Sequence, residues 1–143
     1  VHDILDFKDF YQENSITPVS IEVLIQKSDI VTLHLPLDSS TENIISRDRI
    51  QMLKKDAVII NLARGGLIDE DALKQMLLED KIAGAALDVF AIEPPADIEF
   101  ALMDNVIVTP HIGGSTEEAI LAMGIAAIEG LDSAKDASSF LFK

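Results

Sequence analysis

Apolar residues gather in four short runs along this chain, residues 30–35 (IVTLHL), 57–62 (AVIINL), 82–89 (IAGAALDV) and 106–108 (VIV). Runs of this length, bounded by proline, glycine or charged residues, predict buried strands. The first is almost continuously apolar up to Pro36, which suits a parallel sheet covered on both faces better than a half-exposed antiparallel one. The segments between the runs have helical spacing. Ile21, Val23, Leu24 and Ile25 precede Lys27-Ser28-Asp29 as a short helix, and residues 37–43 form a polar loop. Ser46 can cap a helix in which Ile50 and Leu53 share a face, closed by Lys54-Lys55-Asp56. Arg64-Gly65-Gly66 breaks the second strand, and Asp69 is a plausible N-cap for a helix carrying Leu73, Met76 and Leu77 up to Asp80. Gly84 and its small neighbours in the third run are expected to leave room for a helix packed closely on the sheet. A proline-rich loop, Glu93-Pro94-Pro95, and a polar connection lead to the last strand. Residues 5–13 lack a clear period and receive no element. Helix and strand alternate throughout, which predicts an α/β fold with a parallel sheet.

The last strand opens the most informative stretch, residues 104–119 (DNVIVTPHIGGSTEEA). The strand stops at Thr109-Pro110, because proline cannot donate to a central ladder. A single His111, the Gly113-Gly114 pair and a helix start follow, and Ser115 with Glu118 has capping-box spacing. This places His111 at the carboxyl end of a strand, ahead of a helix N-terminus, where open parallel sheets bind ligands. The helix, predicted over residues 116–131, carries Ile120, Leu121, Met123, Ile125 and Ile128 with almost no polar face. A helix apolar all round is one that is covered all round, so a partner surface is expected, either another domain or a second subunit.

Composition narrows the picture. A chain of 143 residues with 48% hydrophobic residues is long enough for one domain with a true core. No apolar run reaches the roughly 20 residues of a membrane span. A formal charge of −14 leaves no basic surface for nucleic acid. The absence of cysteine removes disulfide and thiolate chemistry, fits a cytoplasmic protein, and no metal site is expected. Val1 is not an initiator methionine, so the sequence reads as a piece that begins within a structure.

Candidate chemistry lies at the predicted strand ends: Asp3, His34 with Pro36, Arg64, Asp88 and His111. Each residue alone has an ordinary structural explanation. As a set at successive carboxyl edges they would converge on one crevice.

The segments SDIVTLHLPLDSSTENII, LKKDAVIINLARGGLID, GAALDVFAIEPP and TPHIGGST follow one another as in the D-isomer-specific 2-hydroxyacid dehydrogenases, and the chain most resembles the phosphoglycerate dehydrogenase-like members. The resemblance covers residues 28–118. It implies a doubly wound, Rossmann-like NAD-binding domain, with Arg64 as the anchor of the substrate carboxylate, His111 as acid/base and Glu93 as its partner. It further implies cofactor-binding roles for Asp3 at the adenosine ribose, for His34 and Pro36 at the adenine side, for Ala63, for Asp88 near the nicotinamide carboxamide, and for Gly113 and Gly114. The physical reading is compatible with these roles. A guanidinium can hold a carboxylate bidentately. Histidine has the side chain best suited to trade a proton near neutrality, and a carboxylate beside it would orient the ring. A carboxylate at Asp3 would accept bonds from ribose hydroxyls but repel a 2′-phosphate, favouring NAD over NADP.

The chain also departs from that family. No G-x-G-x-x-G occurs in it, so the first strand and glycine-rich loop of the doubly wound sheet are missing, as is the substrate domain. The expected organisation is a partial NAD-binding domain over residues 1–133 with a tail over 134–143. On its own this piece is expected to bind NAD poorly and to catalyse nothing. The leading function is NAD-dependent hydride transfer on D-2-hydroxy and 2-oxo acids, with 3-phosphoglycerate a candidate substrate and a homo-oligomer expected through the apolar last helix. The alternatives are an NAD-sensing, corepressor-like regulator of the same family and an inactive truncated product.

Overall fold

The computed structural model of the chain describes residues 1–134. In order these form α1 (Lys8–Glu13), α2 (Ile21–Lys27), β1 (Ile30–Leu33), α3 (Arg47–Ile50), β2 (Val58–Asn61), α4 (Glu70–Leu78), β3 (Gly84–Leu87), α5 (Ile98–Ala101), β4 (Val106–Val108) and α6 (Glu117–Asp132). The chain divides into two compact units, Val1–Pro110 and a second that starts at His111. Nearly all of the tail expected over residues 134–143 lies outside the described residues.

In the first unit all four strands are parallel, in the order β1-β2-β3-β4, so each pairs with its predecessor in sequence. The register sets Val31, Ile59, Ala85 and Val106 in one row and Leu33, Asn61, Leu87 and Val108 in the next. These rows face a core completed by Ile25 of α2, Ile50 of α3, Leu73 and Leu77 of α4 and Phe100 of α5. The helices start where the hydroxyls and carboxylates predict. Ser46 accepts a hydrogen bond from the Arg49 amide, and Asp69 accepts one from the Ala72 amide at 2.8 Å.

Several expectations are corrected. β1 buries alternate residues rather than all of them, and Ile30 and Ile107 on the opposite face are 62% and 70% exposed. Within Val1–Pro110 that face is open at the edge strands β1 and β4 and half-buried at Val58, Ile60 and Ala86 between them. The room at Gly84 is needed by backbone and not by a helix: a Cβ there would lie 2.9 Å from the Asn105 carbonyl oxygen. The polar connection before β4 contains α5, with Asp97 accepting from the Phe100 amide at 3.0 Å and Phe100 buried. Residues 8–13, left without an element, form α1, and its Tyr11 is buried. The helix predicted to reach Lys54 shortens to Arg47–Ile50 followed by turns.

In the second unit α6 is capped by Thr116, which accepts from the Ala119 amide at 3.1 Å. The cap therefore lies one residue beyond Ser115, at Thr116 in extended conformation, and with Ala119 at the third helical position the capping box expected from Ser115 and Glu118 gives way to a simple hydroxyl cap. Ile120, Leu121, Met123, Ile125 and Ile128 of α6 are exposed.

Candidate functional site

Parallel strands of nearly equal length bring their carboxyl ends to one edge, and the first unit builds its site there, beyond the Leu33, Asn61, Leu87 and Val108 row. At the end of β2 the buried Asn61 side chain holds the turn from both sides. Its amide Nδ2 donates to the Arg64 carbonyl at 2.8 Å, and its Oδ1 accepts from the Ala63 amide at 3.1 Å. This fixes the backbone from which Arg64 projects into solvent. The Arg64 guanidinium itself donates through Nη1 to the Ala63 carbonyl at 2.6 Å. Within Val1–Pro110 that is its one bond, so four of its five donors remain available to an anionic ligand there.

Next comes Gly65, whose missing side chain has a specific cause. A Cβ at this position would sit 1.9 Å from the Phe90 carbonyl oxygen and 2.6 Å from the Ala91 nitrogen. The Arg64 turn and the loop after β3 therefore touch backbone to backbone, and the loop's acid, Glu93, belongs to the same neighbourhood as Arg64. Glu93 accepts from the Phe90 amide at 3.1 Å, and a second carboxylate, Glu70 at the start of α4, accepts from the adjacent Ala91 amide at 2.7 Å. Burial raises the Glu70 pKa above its ordinary value; the Ala91 bond opposes this, and the charges of Asp71 and Glu93 reinforce it. One helical turn on, Lys74 bridges Asp97 and Glu99 at 2.7 and 2.8 Å, tying α5 to α4.

Asp88 follows β3 directly. It is 2% exposed, its amide donates to the Asn61 carbonyl at 3.0 Å, and its carboxylate accepts a short hydrogen bond from the Thr109 hydroxyl. The ends of β2, β3 and β4 are thereby locked together through polar groups, with Asp88 in a fixed orientation.

On the β1 side, His34 is exposed and its Nε2 lies 3.0 Å from the Thr32 hydroxyl. It shares a groove of about 190 Å³ with Asp3, walled by apolar side chains that include Leu24, Leu33, Leu35 and Ile44. Asp3 was expected at a strand end. Among the described residues no strand precedes β1, and Asp3 instead sits in a turn, accepting from the Leu5 amide at 2.8 Å. Apolar walls with a carboxylate among the lining residues offer surface for a flat ring and an acceptor for hydroxyls. Pro36 lies outside this groove, exposed, with its carbonyl accepting from the Thr41 hydroxyl at 2.8 Å.

His111 opens the second unit with a left-handed backbone (φ 55°). A turn follows in which the Ser115 amide donates to the Ile112 carbonyl at 2.9 Å, with Gly113 and Gly114 at its tip. A Cβ on Gly114 would meet nothing within 4 Å, so that glycine leaves open space above the turn. Two residues, Thr109 and Pro110, separate the end of β4 at Val108 from His111 in sequence.

Asn61, Gly65, Glu70 and Thr109 escaped the sequence reading. Asn61 carried a signal, a polar residue closing an otherwise apolar strand, which marks a side chain that bonds backbone at the strand end. Glu70 carried none, since an acid in the first turn of a helix is commonplace.

Residues 3–113 match the family model described as D-isomer specific 2-hydroxyacid dehydrogenase, NAD binding domain. The chain is 53% identical over 109 residues to D-3-phosphoglycerate dehydrogenase of Methanocaldococcus jannaschii, covering 76% of this chain and 21% of that protein. It is 45% identical over 114 residues to hydroxypyruvate reductase of Thermotoga maritima, covering 78% and 37%. Among solved structures it superposes on D-lactate dehydrogenase from Aquifex aeolicus, complexed with NAD and lactic acid, with a TM-score of 0.80 at 28% identity over 92% of this chain and 45% of that one. The chain thus spans between a fifth and two fifths of the length of the two relatives.

Proposed function

The chain belongs to the D-isomer specific 2-hydroxyacid dehydrogenase family, through its NAD-binding domain, and from that premise we propose that it is the cofactor-holding part of an NAD-dependent oxidoreductase. Its substrates are D-2-hydroxy acids and the matching 2-oxo acids, with 3-phosphoglycerate and hydroxypyruvate the first to test, since proteins of those activities are its relatives. The observation that carries the reading is the backbone contact at Gly65, which presents Arg64 and the Glu93 loop together at the sheet's carboxyl edge. The cofactor, when bound, accepts or supplies the hydride.

The chain's own residues do the rest. Arg64 holds the substrate carboxylate with its free guanidinium donors. His111 takes the hydroxyl proton in oxidation and returns it in reduction, with Glu93 as the carboxylate that orients the ring. Asp3 and His34 line the adenosine groove, Asp3 accepting from the ribose hydroxyls and selecting NAD over NADP. Pro36 closes the adenine side. Asp88, held in place by Thr109, is the acid near the nicotinamide carboxamide, and Ala63, Gly113 and Gly114 are further cofactor-binding residues. The cofactor domain extends over residues 1–133, the protein works in the cytoplasm, and the exposed apolar side chains of α6 join it to a second copy.

The test is His111→Gln in the intact protein, followed by NADH absorbance with each candidate acid. Turnover is expected to fall by about 10²- to 10⁴-fold, with cofactor affinity little changed. Full activity in this variant removes His111 from the reaction.

A further inference from the structure

Two carboxylates grip neighbouring amides of one loop: Glu93 takes the Phe90 N–H at 3.1 Å, and Glu70, from a different element, takes the Ala91 N–H at 2.7 Å. The loop cannot shift toward the Arg64 turn, because Gly65 already meets the Phe90 carbonyl. Glu70 holds it from the α4 side. We propose that Glu70 is a positioning residue for Glu93, fixing through the Ala91 amide the loop that carries Glu93. The inference rests on the function proposed above, which assigns Glu93 its role.

The surroundings of Glu70 make this hold sensitive to pH. Glu70 lines a cavity of about 480 Å³ with Glu42, Asp69, Asp71 and Asp97, and none of the residues lining it is cationic. Lys74, on the same helix, is engaged by Asp97 and Glu99. Glu93 adds a like charge from the loop side. Burial therefore works against the Glu70 carboxylate with no cation to offset it, and the group gains its proton above the ordinary value of 4.5. A neutral carboxyl accepts a weaker bond than a carboxylate. On acidification the grip on Ala91 loosens, and Glu93 loses its fixed position.

The experiment uses the intact protein, labelled at alanine with ¹⁵N, as wild type, Glu70→Gln and Glu70→Ala. Gln keeps an acceptor for Ala91 but cannot titrate. The Ala91 amide resonance of the wild type is expected to move with pH, with a midpoint above 4.5, and to lose that movement in Glu70→Gln. Turnover of the wild type should fall through the same midpoint. Glu70→Gln, a neutral acceptor at every pH, should show already at neutral pH the lowered turnover that the wild type reaches below its midpoint, and should lack that acid limb. Glu70→Ala should lose about tenfold or more in kcat with the KM for NADH little altered. A midpoint at or below 4.5, an Ala91 movement that persists in Glu70→Gln, or an acid limb identical in wild type and Glu70→Gln overturns the proposal. If the intact protein oxidises no 2-hydroxy acid, the assigned function fails, and the Ala91 titration still decides whether Glu70 holds the loop.

Discussion

Asn61 shows what a single residue contributes. It occupies a core row between Leu33 and Leu87, where a leucine would fit the pattern, and uses its amide to satisfy the Ala63 N–H and the Arg64 carbonyl. Backbone groups left unpaired at a buried site cost roughly 1 to 3 kcal/mol each. Asn61→Ala is therefore expected to lower unfolding stability by about that amount and, because the Arg64 turn is released, to raise the KM for the acid substrate more than it lowers kcat. Denaturant unfolding and steady-state kinetics on the same preparation check both parts. The sequence displayed Arg64, Asp88 and His111 because charged or imidazole groups next to apolar runs stand out, whereas Glu93 was picked out only by the family resemblance. It hid the groups that aim them. A neutral amide at a strand end and an acid in a first helical turn have many uses, and only the partners at 2.8 and 2.7 Å distinguish them.

Elements were legible in proportion to their length and period. The four strands were readable from apolar runs, and α4 from its cap and its row of Leu73, Met76 and Leu77. α5 was not, because four residues cannot show a helical period; its one signal was Asp97 standing three residues before the buried Phe100. Gly84 was read as a seat for a helix when it faces the Asn105 carbonyl, since a sequence does not say which neighbour needs the space. Gly65 raises the same question with a sharper consequence. Its contact is with backbone, which cannot swing aside, so Gly65→Ala must push apart the β2–α4 turn and the loop after β3. Overpacking of this kind costs about 1 to 3 kcal/mol. A lowered thermal midpoint together with weakened substrate binding is expected, and calorimetry with kinetics would read them; an unaltered KM would show that the two loops act independently.

At the scale of the molecule, the charge of −14 and the ion pairs make stability depend on pH. Lys74 holds Asp97 below the ordinary carboxylate value, Arg49 does so for Glu22, and Lys81 for Glu79. Each of these acids contributes stability that is complete above its unfolded pKa and is lost as pH falls through the lower, folded one. Glu70 has the opposite sign: its folded value is raised, so stability declines as pH rises from the unfolded value of 4.5 through the folded one. Thermal midpoints followed from acid to neutral pH should thus fall steeply on the acid side, and Asp97→Asn should make that fall shallower, most clearly below pH 3.8. An unchanged slope would show that the Lys74 pairing carries no pH dependence. The order β1-β2-β3-β4 has one more consequence, which concerns synthesis. Each of β2, β3 and β4 pairs with the strand translated just before it, so the described sheet can be laid down strand by strand as the chain leaves the ribosome, and none of these three has to wait for a later segment to supply its first neighbour.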